Sequence, residues 1–229
     1  MKVRLAYKGG PDSGHRGHAG RPGQVGGSTP GVGVLEVGIN AIVGINAIFD
    51  EFKGLQEKGV FIEVPDSDLR VMAEDAYNTE LMYGKSSRSE GVQAHTSSKY
   101  VWYGDNPYMG GWHPLAKDLQ EEIRSAPIPN SDVLYRGVRG SHAADLLTMQ
   151  VGEEFVLDRF TSTSRSVAVA KSFMRSDDAA LMHIHIEKGM PALYIHKLAS
   201  ELLLPAKSRF KVSKVVGNEL HVDYVGVAE

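Results

Sequence analysis

After Pro129 the chain changes into a succession of short runs rich in β-branched and aromatic residues, at 133–135, 154–157, 180–186, 194–195, 201–204, 210–216 and 221–227. Turn residues separate them, and helical patterns fall between them at 143–149 and 167–173. The runs are too short and too often interrupted to be helices, and strands do not alternate regularly with helices as a doubly wound nucleotide fold requires. Helices first and many strands later predicts an α+β domain with a mixed or antiparallel sheet core and N-terminal helices.

The helices that precede this region carry their own signals. Pro65-Asp66-Ser67-Asp68 introduces apolar Leu69, Val71, Met72, Ala73, Ala76 and Leu81, so a helix is expected that ends near Tyr83-Gly84. Residues 86–111 are polar, aromatic and turn-rich, predicting irregular structure or short helices. Residues 115–123 read as a helix that Pro127 and Pro129 stop. Further upstream, Gly38-Ile39-Asn40-Ala41-Ile42 recurs as Gly44-Ile45-Asn46-Ala47-Ile48, and two copies fall short of a solenoid. From Gly9 to Gly33 glycine mixes with Pro, Ser, His and Arg, which buries too little apolar surface to offset the entropy of ordering. The expected division is a flexible Gly-rich tail at 1–33, a short helical or docking segment at 34–60, and the main domain at 61–229.

Charge and cysteine content remove several function classes. With 25 basic and 28 acidic residues the net charge is −3, so no global basic field invites nucleic acid or anionic lipid. Cysteine is absent, which excludes disulfide frameworks, thiolate metal sites and Cys nucleophiles. Basic residues near the N-terminus have no apolar run behind them, and the stretch 32–49 is broken by Glu36, Asn40 and Asn46; no secretory signal and no membrane span are expected. Glycine clusters at 23–27 and 31–33 lack a following Gly-Lys-Ser/Thr and read as spacer, not phosphate loop. His183, His185 and Glu187 fall on one face of a strand, a pattern that suits zinc but reads first as a polar strand face, so no metal is expected.

Three segments carry chemistry. Leu134-Tyr135-Arg136-Gly137 ends a strand with a guanidinium able to grip a pyrophosphate, and a glycine that lets a ligand approach the backbone; a surface arginine closing a strand would look the same. Phe160-Thr161-Ser162-Thr163-Ser164 sets Ser162 and Ser164 on one face at strand alternation, where hydroxyls can hold a carboxylate or ribose, or simply cap the next helix. Glu201-Leu202-Leu203-Leu204-Pro205 puts a carboxylate at the head of an apolar strand, where it needs a partner unless it faces solvent.

Together these segments resemble the Arg-Ser-Glu class of mono-ADP-ribosyltransferases, which includes the actin-modifying subunits of clostridial binary toxins, Rho-modifying exoenzymes and many phage-encoded enzymes. The resemblance runs from about Leu115 to the C-terminus, through the aromatic-Arg motif, the Phe-x-Ser-Thr-Ser motif and the Glu-x-Leu-Leu-Pro motif with the trailing Phe-x-Val of Phe210 to Val212. It implies a two-sheet ADP-ribosyltransferase-like core in residues 61–229, NAD as co-substrate and a protein acceptor. It further implies that Glu201 stabilises the oxocarbenium-like state, Ser162 orients Glu201, and Arg136 binds the NAD phosphates. Gly137, Thr163, Ser164, Phe173 and Arg175 join the implied NAD contacts. Two departures stand out. Ala199 occupies the place where arginine-modifying members carry Glu or Gln, and residues 103–112 lack the Tyr-x-x-Ile-Asn helix that often contacts NAD. The first leaves NAD hydrolysis open beside transfer. Residues 17–28 resemble a Gly-rich segment of phage head-associated proteins, which implies a phage virion or the host cytoplasm as the location, and leaves open a non-catalytic particle component that retains the fold.

Overall fold

A long helix, α1 (Val32–Glu57), opens the part of the chain that the computed structural model describes: residues 32–59, 63–96, 114–174 and 178–228, with side chains from residue 40 onward. The Gly-rich segment at 1–31 lies outside it. Ile48 and Phe52 of α1 bury against Leu69, Met72, Ala73 and Ala76 of α2 (Asp66–Tyr83). Gly44, from the duplicated segment, has a packing purpose: a Cβ there would lie 2.5 Å from Cε2 of Tyr77. Helix α2 follows Pro65, places Asp66 and Asp68 in its first turn where the helix dipole favours them, and stops at Gly84 with φ 74°. These are the bounds its sequence signals predict.

Helices α3 (Glu90–Thr96) and α4 (Pro114–Arg124) pack Val92, Ala116, Leu119 and Ile123 over one end of the sheet. Pro114 sits at the first helical position, which needs no N–H. Of the stretch expected to be irregular or to form short helices, α3 is described and residues 97–113 lie outside the described residues. Two further helices, α5 (Ser141–Leu147) and α6 (Val167–Ser172), fall where the sequence places them, each ending slightly earlier than expected.

The strands are β1 (Asp132–Val138), β2 (Glu154–Leu157), β3 (Thr161–Ser164), β4 (Ala180–Ile186), β5 (Leu193–His196), β6 (Glu201–Leu204), β7 (Ser208–Val216) and β8 (Glu219–Val227). They hydrogen-bond in the order β2-β7-β8-β4-β1-β3-β6-β5, with every pair antiparallel except β4 and β8. The sheet is therefore mixed and the domain α+β, as expected. The two-sheet detail is not what the ladder gives: all eight strands form one sheet. Its junction is narrow, because β1 and β3 share a single register pair, Tyr135 with Ser164. Strand β3 falls outside the apolar runs, since none of its four residues is apolar, but matches the strand alternation read at Ser162 and Ser164.

A polar network fastens α2 to this junction. Arg165, between β3 and α6, donates from Nε to Asp132 Oδ2 at 2.5 Å, the two side chains being 17% and 15% exposed. Tyr83 donates its hydroxyl to the same oxygen at 3.2 Å, while Asp132 Oδ1 accepts from the Val133 N–H at 2.9 Å. Burial, followed by the Asp132 charge, pushes the Tyr83 phenol well above its usual range, so it stays a donor. Among the described residues no helix is long and apolar enough to cross a membrane.

Removing Asp132 would leave Arg165 a half-enclosed charge without its carboxylate. Asp132→Ala is expected to lower unfolding stability by about 3 kcal/mol, measured by urea denaturation. A loss below about 1 kcal/mol would mean that the network does not hold α2 to the sheet.

Candidate active site

Strands β1, β3 and β6 lie side by side in the sheet, and each brings one polar side chain to the same place. Along β1, Leu134 and Val138 are buried in the core, and Arg136 lies between them on the same strand face. Its Nη1 donates to the Ser162 carbonyl at 2.7 Å, whereas its Nε is enclosed and has no hydrogen-bond partner. Burial lowers the guanidinium pKa, and the opposing charge of Glu201 partly restores it.

Glu201 begins β6. It stands opposite Ser164 in the register, one diagonal step from Ser162, which pairs with Leu203. The Ser162 hydroxyl hydrogen-bonds the Glu201 carboxylate. Burial pushes the carboxyl pKa up, and Ser162 and then Arg136 pull it back without cancelling the rise. Arg136, Ser162 and Glu201 thus interact as one cluster.

The turn that delivers Glu201 is fastened along its length. Ser200 adopts φ 47°, a left-handed conformation that costs a non-glycine residue about 1 kcal/mol, and its buried hydroxyl has no partner. Its N–H donates to the Lys197 carbonyl at 2.9 Å, and its carbonyl accepts from Arg165 N–H at 3.1 Å. The Ala199 N–H donates to His196 Nδ1 at 3.2 Å. Lys197 pairs with Glu80 of α2 at 2.9 Å.

The remaining hydroxyls of β3 belong to this scaffold. Ser164 donates to the Ala199 carbonyl at 2.6 Å and accepts from Ser166 N–H at 2.9 Å; Thr163 donates to the Leu202 carbonyl at 2.7 Å, and both are buried. Both residues are among the NAD contacts that the resemblance implies, and both hydroxyls donate to backbone carbonyls. Gly137 likewise stands against protein backbone. A Cβ on it would lie 2.4 Å from the Ala170 carbonyl oxygen and 3.3 Å from Cβ of Phe173, so the C-terminal turn of α6 approaches it closely. Phe173 caps that turn and is 54% exposed, which rules out the core position that its helical pattern also allowed. Arg175 lies outside the described residues, as do Tyr103 to Trp112.

Ala199 packs against the cluster shared by α1, α2 and α6. The register sets His196 directly opposite Glu201. Burial lowers its pKa, favouring the neutral imidazole. Pairing the run at 194–195 with that at 201–204 as a hairpin would have found it. A separate cleft of about 530 Å³, lined by Asp132, Tyr135, Arg165, His185 and others, includes none of Arg136, Ser162 and Glu201.

No family model matches the sequence, and no curated protein matches it. The chain is similar to several solved structures of ADP-ribosyltransferases. The ADP-ribosyltransferase Vis in complex with agmatine is 19% identical, over 72% of this chain and 86% of that one, with a TM-score of 0.47. Plx2a, an ADP-ribosyltransferase toxin from Paenibacillus larvae, is 13% identical over 82% and 97%, with a TM-score of 0.41. C3stau2 from S. aureus with NAD is 12% identical over 82% and 95%, with a TM-score of 0.42.

A carboxyl whose folded pKa is raised contributes stability below its ordinary value near 4.5, and that contribution is lost as pH rises through the folded pKa. Gln at position 201 never ionises. Glu201→Gln is therefore expected to melt at a higher temperature than the parent at pH 7, the difference closing as the pH falls below 4.5. Equal melting temperatures at pH 7 would show that the carboxylate is well accommodated.

Proposed function

We propose that the chain is a mono-ADP-ribosyltransferase that transfers ADP-ribose from NAD to a protein side chain. The observation that carries this reading is the meeting of a desolvated carboxylate, Glu201, with the Ser162 hydroxyl and the Arg136 guanidinium. Breaking the bond between nicotinamide and ribose sends the bonding electron pair out with nicotinamide and leaves oxocarbenium character on the sugar. An ionised carboxylate beside that sugar is worth most when the positive charge appears, so it lowers the barrier instead of merely tightening binding. Its desolvation supports this role, because the developing cation offsets a cost already present in the free site. Glu201 would also accept a hydrogen bond from the ribose 2′-hydroxyl, with Ser162 fixing its orientation.

Arg136 fits a pyrophosphate through its unspent, enclosed Nε–H, which needs an acceptor oxygen. Exposed Phe173 supplies an apolar wall against the nicotinamide or the adjoining phosphates, and Arg175 a second cation. Residues 61–229 are the proposed catalytic unit, with 34–60 docking on it. A phage-borne protein acting on a host protein is the setting we propose, on the Gly-rich segment alone. NAD hydrolysis is the second reading. Position 199 favours it, since an alanine packed among helix residues offers no carboxylate or amide to an acceptor.

Both readings are tested by incubating the protein with bacterial lysate and NAD labelled on its ADP-ribose moiety. The parent protein is expected to release nicotinamide and label a protein band, and Glu201→Gln to lose both by at least about a thousandfold while remaining folded. Nicotinamide release without labelled protein would assign the hydrolase. Activity retained in Glu201→Gln would overturn both.

A further inference from the structure

Away from this site, the parallel pairing of β4 with β8 brings together groups that are far apart in sequence. His183 stands opposite His221, and Leu181 opposite Glu219, so both imidazoles and the carboxylate share one face of the sheet. That face also carries Tyr135, the register partner of His183, whereas Arg136 on the next position of β1 points to the other side. The sequence pattern suggested Glu187 as the acidic companion of His183 and His185. In the fold Glu187 accepts from the Ser131 hydroxyl at 2.8 Å, and β8 supplies Glu219 and His221 in its place.

We propose that His183, His221 and Glu219 form a divalent metal site suited to Zn²⁺, with water completing a four-coordinate shell. Their ligand atoms all lie within 4.8 Å of one another. His183 Nε2 and Glu219 Oε2 are 3.3 Å apart, about the ligand–ligand edge of a tetrahedron with bonds near 2.0–2.1 Å. The third ligand closes by rotation of the His221 ring, now stacked on His183 with centroids 4.2 Å apart. His183 Nε2 is enclosed yet makes no hydrogen bond of proper geometry, even to Glu219. An imidazole nitrogen with no such bond is available as a ligand. Two imidazoles and a carboxylate match the borderline character of Zn²⁺ better than the all-oxygen shells of Mg²⁺ or Ca²⁺.

The surroundings support the assignment. Tyr135 rests edge-on against His183 at 5.3 Å, limiting its ring. Lys214, opposite His221 in β7, opposes a cation and sets an upper limit on affinity, while Asp223, opposite His185, adds a nearby negative charge. Both strands are paired on both sides, so the donors stand on rigid elements. A metal here would cross-link the only parallel pair in the described sheet.

The test is calorimetric titration of the chelator-treated full chain with ZnCl₂, alongside thermal melts with and without the metal. The expected result is one Zn²⁺ per chain with a raised melting temperature, because a ligand bound only by the folded state stabilises it. Glu219→Gln should bind at least about tenfold more weakly, and His221→Gln should abolish the thermal shift. Far-UV circular dichroism checks that both variants are folded; His183→Gln is the second reading if His221→Gln is not. Absence of saturable binding by the parent at about 1 mM Zn²⁺ would overturn the proposal. So would binding that these substitutions leave unchanged, which would assign the metal to other groups of the chain.

Discussion

The structure depends on four hydroxyl-bearing residues in the middle of its sheet. Strand β3 has no apolar side chain, yet it joins β1 to β6 and so links the two ends of the ladder. A buried hydroxyl that lacks a partner is costly, and β3 resolves this by donating inward to carbonyls: Thr163 to Leu202, Ser164 to Ala199. Those bonds locate β6 and the turn before it. Ser162 alone is left to face the carboxylate that the others have positioned.

The turn before Glu201 stores cost beside the proposed catalytic carboxylate. Ser200 is left-handed with an unpartnered hydroxyl, and Glu201 ionises against its burial. Neither is expected of a residue selected for stability alone. Both persist because the neighbours over-determine the turn, through Arg165, His196, Lys197 and Ser164. Arg165 serves twice, closing the turn with its backbone N–H and anchoring α2 with its side chain. The helical layer and the cluster at Glu201 are therefore held by one residue from opposite directions.

Much of this was legible in the sequence because hydrophobic periodicity and caps are local. Pro65 and Gly84 bracket α2, Pro127 and Pro129 follow the end of α4, and the apolar runs of β4, β6 and β7 announce themselves. The three motif residues Arg136, Ser162 and Glu201 were legible as candidates and do interact. What stayed hidden depends on partners distant in sequence. Strand β3 lacks the apolar signal because hydrogen bonds to β6 replace it. The roles of Thr163, Ser164 and Gly137 follow from which backbone stands against them, which no spacing rule encodes. His196 faces Glu201 through a hairpin register, and the His183–His221 pairing depends on a parallel crossover.

The contact at Gly137 also limits how the region can move. The end of α6 rests on β1 with the Ala170 carbonyl against Gly137, and with side-chain carbons of Phe173 and Met174 beside it. Helix end and strand therefore travel as one body, and the spacing between the main chains of Phe173 and Arg136 is set before anything binds. The exposed phenyl ring of Phe173 remains free to rotate about its own torsions, a motion of picoseconds to nanoseconds instead of a slow shift of the helix.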